Sequence, residues 1–275
     1  MLNDLVDNVY VMNLDRQLSK YNTVKKKLDA KNIQHQRFAG IDGYDGDLSS
    51  KKRIKSFIEF ADYYSDSDFL ERIMFRGGQT LVKRSGAFRS RGAMGCLLSI
   101  RNIIQDAIDN KYKKIIIFQD DIYFHKDFDK RIDRLLPVIE SSVVVHLGAS
   151  EYNDFIKEHK WCDPNWNYNR VKYSTTEQTT GMWAVVISEE MFAPFMEMSE
   201  FKFFAADQTL AFLCFNKFFG SSWVAYPNLV IADLNKSTTW ADNGKPYPRS
   251  MEPKGEWVTK FGWDIDFYDL EDQYY

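Results

Sequence analysis

Residues 115–118 read Ile-Ile-Ile-Phe and are followed at once by Gln119, Asp120 and Asp121. Four successive β-formers without polar alternation describe a strand covered on both faces, a situation met in α/β proteins whose central sheet carries helices on either side. The flanking sequence agrees. Met94, Leu97, Leu98, Ile104 and Ile108 fall on one helical stripe, broken by Arg101, and Lys113-Lys114 close that helix. At the start of the chain Val9–Leu14 reads as a strand. Leu18, Tyr21, Val24 and Leu28 recur at helical spacing among lysines, and residues 35–41 read as a second strand ended by Asp42-Gly43. This β-α-β opening starts a parallel sheet.

Further along, the pattern predicts a helix over 128–139, a strand over 143–147 and an irregular stretch over 150–170. A buried strand over 181–187, a helix over 205–215 and short strands over 223–231 interrupted by Pro227 follow. The expected class is α/β, with a Rossmann-like, mostly parallel central sheet flanked by helices. The length of 275 residues suits one domain spanning 1–275. Residues 44–92 are the least patterned part and read as a variable excursion over the sheet, open to roles as a lid, an acceptor platform or a homodimer contact.

Composition removes several classes of function. The 36 Lys and Arg against 39 Asp and Glu leave a net charge of -3, which gives no electrostatic footprint for nucleic acid. Cys96, Cys162 and Cys214 are widely spaced, with no metal-binding or disulfide framework, and fit free thiols in a reducing compartment. The four histidines (His35, His125, His146, His159) have no metal-ligand spacing, and His146 reads as a satisfied core histidine. The first residues lack the basic and apolar regions of a signal peptide, and no run is long enough to span a membrane. The expected setting is cytoplasmic. No GxxxxGK[ST] loop is present, which argues against a P-loop NTPase.

Asp120 and Asp121 carry the chemistry. Carboxylates at the end of a buried strand need a partner, and ligands of open α/β sheets bind at that carboxyl edge. Mg²⁺ or Mn²⁺ satisfies both conditions, because a hard cation takes carboxylate oxygens and bridges to diphosphate. Read without context, the pair also serves simply to open the next loop.

The surrounding motifs supply context. VYVMNLDR (9–16), FAGIDG (38–43) and, above all, RGAMGCLLSIRNIIQDAI (91–108) followed by IIIFQDDIYF (115–124) resemble glycosyltransferase family 25, which includes lipooligosaccharide and procollagen galactosyltransferases. VVVHLGAS (143–150), TTGMWAVVIS (179–188), ADQTLAF (206–212) and YPNLVIADLNKST (226–238) are weaker echoes. Two positions depart from the family pattern: Gln119 stands where a Glu is expected, and Ile100 where a His is expected.

The resemblance implies a GT-A-type fold. It also implies an inverting hexosyltransferase that moves galactose or glucose from a UDP-sugar to a hydroxyl acceptor, with Mn²⁺ (or Mg²⁺) as cofactor. The acceptor would be a saccharide or a collagen-like hydroxylysine, and the source of bacterial or viral type. Asn13, Asp15 and Arg16 would contact the nucleotide, and Asp42 the ribose. Ser99 and Asn102 would face the donor, and Thr180-Gly181 would admit the sugar. Asp207 would be the general base, since attack by a hydroxyl needs a carboxylate to take its proton. Asp233, or Ser237, would add a third metal or diphosphate contact to Asp120 and Asp121. Trp183 and Trp240 would stack on sugar, with core packing the alternative for Trp183. Gln119 and Ile100 also fit a non-catalytic nucleotide- or glycan-binding member. A glycoside hydrolase is a poorer match, because adjacent carboxylates cannot flank a scissile bond.

Overall fold

The computed structural model describes residues 2–43, 91–151, 171–176, 179–201, 205–233, 261 and 263–270. The readings of the 44–92 excursion up to residue 90, of 152–170, and of His159, Cys162, Ser237 and Trp240 lie outside the described residues.

Strand β1 (Asn8–Asn13), helix α1 (Leu18–Ala30) and strand β2 (Gln36–Ala39) form the expected β-α-β unit. Helix α2 (Arg91–Asp109) leads into β3 (Lys114–Gln119) and the short β4 (Ile122–Phe124), and α3 (Phe128–Ser141) leads into β5 (Val144–His146). Then come β6 (Ser150–Glu151), β7 (Lys172–Ser174), β8 (Thr179–Thr180) and β9 (Ala184–Ser188). Helices α4 (Glu189–Phe201) and α5 (Ala206–Asn216) precede β10 (Ser222–Ala225) and β11 (Val230–Ala232).

The main sheet has seven strands in the order β2-β1-β3-β9-β5-β10-β7. β1 is parallel to β2 and β3, and β5 to β10, whereas β9 runs antiparallel to both β3 and β5, and β7 to β10. Five strands therefore point one way and two against them: a mixed, mostly parallel Rossmann-like sheet of the kind a GT-A-type fold requires. No helix among the described residues is long and apolar enough to cross a membrane.

Alternation along the strands sends side chains into two cores. Val9, Val11, Ile116, Phe118 and Val186 meet Val24 and Leu28 of α1 and Phe128, Ile132 and Leu135 of α3. Tyr10, Ile115, Ile117, Val185 and Ile187 meet Leu97, Ile100 and Ile104 of α2, Phe195 of α4 and Leu210 of α5. Residues 115–118 are fully buried, and each such side chain contributes about 2 kcal/mol. Ile100 is part of this packing, so a core contact, rather than a polar one, occupies the position where the family pattern has His. Ile108, expected on the buried stripe, is exposed, because the buried face of α2 runs through Leu97, Ile100, Ile103, Ile104 and Ala107 and leaves it to one side. Arg101 breaks the stripe by reaching across to α4, where it donates to the Met196 carbonyl at 2.7 Å. His146 is fully buried, as expected; burial, opposed by a backbone contact with Gly181, lowers its pKa to about 4 and keeps the ring neutral. Trp183 belongs to the core: it is buried, donates to the Val230 carbonyl at 3.1 Å and meets Trp263 edge-on.

β4 and β11 form a separate antiparallel pair beyond the end of β3. Leu229 and Val230 donate to the Leu147 carbonyl, at 2.7 and 3.2 Å, which brings β11 across the end of β5. Gly148 permits this crossing, since a Cβ there would stand 1.7 Å from the Val230 carbonyl oxygen. Gly148→Ala is expected to destabilise the protein by about 3 kcal/mol through overpacking against backbone, measured as a lowered midpoint in urea unfolding.

Candidate active site

The site forms where β1 and β3 end side by side. Gln119 continues the β3–β9 ladder by donating its backbone N–H to the Trp183 carbonyl at 2.9 Å; beyond it the chain leaves the sheet and delivers Asp120 and Asp121 to the carboxyl edge. The next strand, β4, pairs with β11 in a register that sets Ala232 opposite Ile122. One residue further, the Asp233 N–H donates to the Asp121 carbonyl at 2.6 Å. A strand pairing thus brings Asp233 beside a residue 112 positions away. Its carboxylate accepts a hydrogen bond from the Tyr123 hydroxyl at 2.6 Å.

Asn13, the last residue of β1, is buried and donates from Nδ2 to Asp120 at 2.5 Å and to the Gln17 carbonyl at 2.9 Å. Its Oδ1 accepts from Arg37 Nε at 2.9 Å. Arg37 also reaches Asp15, whose carboxylate is largely exposed, and Arg16 pairs with Asp42. The loop after β2 lies against α2: Ile41 N–H donates to Ser99 Oγ at 2.7 Å, and Ser99 donates to the Gly95 carbonyl at 2.6 Å. Gly95 is required there, because a Cβ would come within 2.5 Å of the Ile41 carbonyl oxygen. Between the loop, α2 and the strand ends lies an open cleft of about 530 Å³ with Asn13, Arg16, Asp42, Ser99, Asp120 and Asp121 among its lining residues.

Burial dominates the electrostatics of the cleft floor. Recession from solvent raises the Asp120 pKa, opposed by Lys20, the Asn13 hydrogen bond and Arg37. Asp121 is pushed up to about 7, chiefly by burial, with the charges of Asp120 and Asp233 adding to the effect and Lys20 opposing it. Among the described residues, Asp121 Oδ1 is shut off from solvent and has no hydrogen-bond partner. A hard divalent cation fits this arrangement, since it supplies the charge that the recessed oxygen lacks. Among the described residues no three His, Cys, Asp or Glu side chains gather at metal-ligand spacing, so the fitting set is the Asp120–Asp121 pair.

A model of family 25 glycosyltransferases (LPS biosynthesis protein) matches residues 6–210 of the 275. The chain belongs to glycosyltransferase family 25. A family member from Anopheles gambiae is 24% identical over 161 residues, 58% of this chain and 24% of that protein. Human procollagen galactosyltransferase 2 is 22% identical over 163 residues, 58% of this chain and 23% of its own length. The human inactive glycosyltransferase 25 family member 3 is 27% identical over 73 residues, 25% of this chain and 12% of that protein. The chain spans about a quarter or less of the length of these relatives. Family membership supports glycosyl transfer between a sugar donor and an acceptor.

The family motifs now have physical content. FAGIDG and the Gly-Cys helix meet through Ser99 and Gly95, and VYVMNLDR places Asn13, the last residue of β1, beside Asp120. Gln119 turns its amide nitrogen to the Met182 carbonyl at 3.3 Å, a contact for which the family's Glu has no hydrogen to offer. Burial, then Asp207 and Asp121, pushes the Cys96 thiol up to about 12, which keeps it protonated and fits its reading as a small core residue.

Other expected residues stand apart from the cleft lining. Asn102 is exposed on α2 and is not among the residues lining the cleft. Asp15 points to solvent and Arg37. Thr180 pairs with Ser150 in the β6–β8 ladder. Gly181, at φ +94°, would clash with the Trp183 ring if it carried a Cβ. Its N–H donates to Asp207 at 3.2 Å, while Gln208 N–H donates to the other Asp207 oxygen at 2.9 Å. Burial raises the Asp207 pKa. Lys20 and Arg37 were missed by sequence reasoning: one is a lysine among several on an amphipathic helix, the other sits on a short half-exposed strand, and neither position is distinguished by spacing.

The folded chain holds the Asp121 proton up to about pH 7, whereas an unperturbed Asp releases it near 3.8. Between those values the folded state binds more protons, so stability falls as pH rises through this window and levels off above it. Metal-free protein unfolded by urea at stepped pH is expected to show that decline, and Asp121→Asn to flatten it.

Proposed function

We propose that this chain transfers galactose or glucose from a UDP-sugar to a hydroxyl acceptor, with inversion at the anomeric carbon and with Mn²⁺ or Mg²⁺ held by Asp120 and Asp121. The observation that carries the reading is the recessed, unpartnered Asp121 oxygen beside Asp120 at the carboxyl edge of the sheet, in a cleft walled by the family's own motifs. When bound, the cation supplies positive charge that stabilises a departing diphosphate.

The protein's residues do the remainder. Asn13 fixes the Asp120 carboxylate. Arg16, held by Asp42, brings positive charge to the cleft wall and suits a nucleotide phosphate or ribose. Asp233, joined to Asp121 through the backbone, adds negative charge to the cation site. Ser99 serves the donor indirectly, by pinning the 40–43 loop over α2. Asp207 is assigned as the base that takes the acceptor hydroxyl's proton. Its raised pKa suits proton uptake, and backbone N–H bonds from Gly181 and Gln208 fix the orientation of its carboxylate. Residues 1–275 act as one glycosyltransferase domain in this reading. A cytoplasmic setting is part of it, supported by free thiols at Cys96 and Cys214. The acceptor is a saccharide or a hydroxylysine of a collagen-like chain, matching the LPS wording of the family and the procollagen wording of one relative.

A second reading, binding without turnover, is favoured by Gln119 and by the relative named inactive. Calorimetric titration separates these from a purely structural acidic pair. UDP is expected to bind when Mn²⁺ is present, and chelation or Asp121→Ala to abolish binding; folded protein that takes up no UDP in either condition overturns the proposal. Asp207→Asn is expected to lower turnover of a UDP-hexose by about 10²-fold or more with UDP affinity unchanged. Binding of UDP with no turnover by the wild type, across galactose and glucose donors, selects the second reading.

A further inference from the structure

We propose that Arg37 is a positioning residue, which acts through Asn13 to hold Asp120 in the orientation that receives a divalent cation. The inference rests on the metal reading above.

The geometry leaves the Asn13 side chain one arrangement. The Gln17 carbonyl and the Asp120 carboxylate only accept hydrogen bonds, and both are met by Asn13 Nδ2, at 2.9 and 2.5 Å. A guanidinium only donates, and Arg37 Nε meets Asn13 Oδ1 at 2.9 Å. Donors and acceptors therefore match around a side chain that is buried. With Asp120 Oδ2 committed to Asn13, Oδ1 is the oxygen left for a ligand in the cleft.

Without Arg37 that order is lost. Asn13 Oδ1 becomes a buried acceptor with no donor, which is costly. Rotation of the amide would then turn its oxygen toward the Asp120 carboxylate, where like partial charges repel. Arg37 is absent from the cleft lining, which separates it from residues that touch a ligand directly. Its second branch, to Asp15 at 2.5 Å, ends on an exposed carboxylate and is screened by solvent. The parallel register explains the reach: Arg37 lies beside Val11 and Ala39 beside Asn13, so the arginine runs forward along the strand edge to meet the end of β1.

The test is a double-mutant cycle read by calorimetric Mn²⁺ titration of the whole chain, with circular dichroism to confirm folding. Arg37→Met is expected to weaken Mn²⁺ binding about tenfold or more, the usual effect of removing a partner that orients a ligand. Arg37→Lys, which keeps one donor, is expected to recover part of the affinity. Asn13→Ala is expected to weaken binding as well, and Arg37→Met added to it to cause no further loss, because the two act as one unit. If Arg37→Met does not fold, Arg37→Lys carries the same cycle, with a smaller loss that vanishes in the Asn13→Ala background. Losses that multiply, or an Arg37 variant that binds Mn²⁺ like the wild type, overturn this inference alone. Wild-type protein that binds no Mn²⁺ overturns the metal reading and this inference with it.

Discussion

A carboxylate that ends a strand buried on both faces needs compensation its own strand cannot supply. β3 is packed by helices on either side and hydrogen-bonded along both edges, so Asp120 and Asp121 emerge where its ladder runs out. Help comes from neighbouring segments: Asn13 from the adjacent strand and Lys20 from the helix that follows it. These contacts satisfy Asp120 better than Asp121, one of whose oxygens is left bare. The sheet thereby converts an energetic liability into a place where a cation is welcome.

The same economy shapes the opposite wall. The chain after β2 must cross α2 closely enough for Ser99 to accept the Ile41 N–H, and the crossing is possible only over a residue without a side chain. Gly95 and Ser99, four residues apart on one face of the helix, form a saddle for the loop. The Gly-Cys-x-x-Ser portion of the motif is thus a packing device that sets the width of the cleft, and the cysteine between them is a small, unreactive filler.

Much of this was legible in the sequence, for identifiable reasons. The run of apolar residues at 115–118 announced a doubly covered strand, and the opening β-α-β followed from short-range periodicity. The acidic pair stood out because buried charge is rare. What the sequence could not display was anything set by register between distant strands. The meeting of residues 121 and 233 depends on the β4–β11 pairing, and the meeting of Arg37 with Asn13 on the β1–β2 pairing. Likewise Thr180 and Gly181 have a sequence that suits a ligand, yet their surroundings give them to a neighbouring short strand, a tryptophan ring and Asp207.

The reversed strand β9 has a consequence for the way the chain leaves the ribosome. β3 and β5 are both synthesised before β9, yet in the finished sheet they never touch; β9 is the wedge between them. Until residue 188 has emerged, a nascent chain carries one open edge of β3 and both edges of β5, each able to pair with an edge of another chain. The order of synthesis therefore leaves the apolar β3 with one open edge from residue 119 until β9 has been made, and self-association is a hazard throughout that interval.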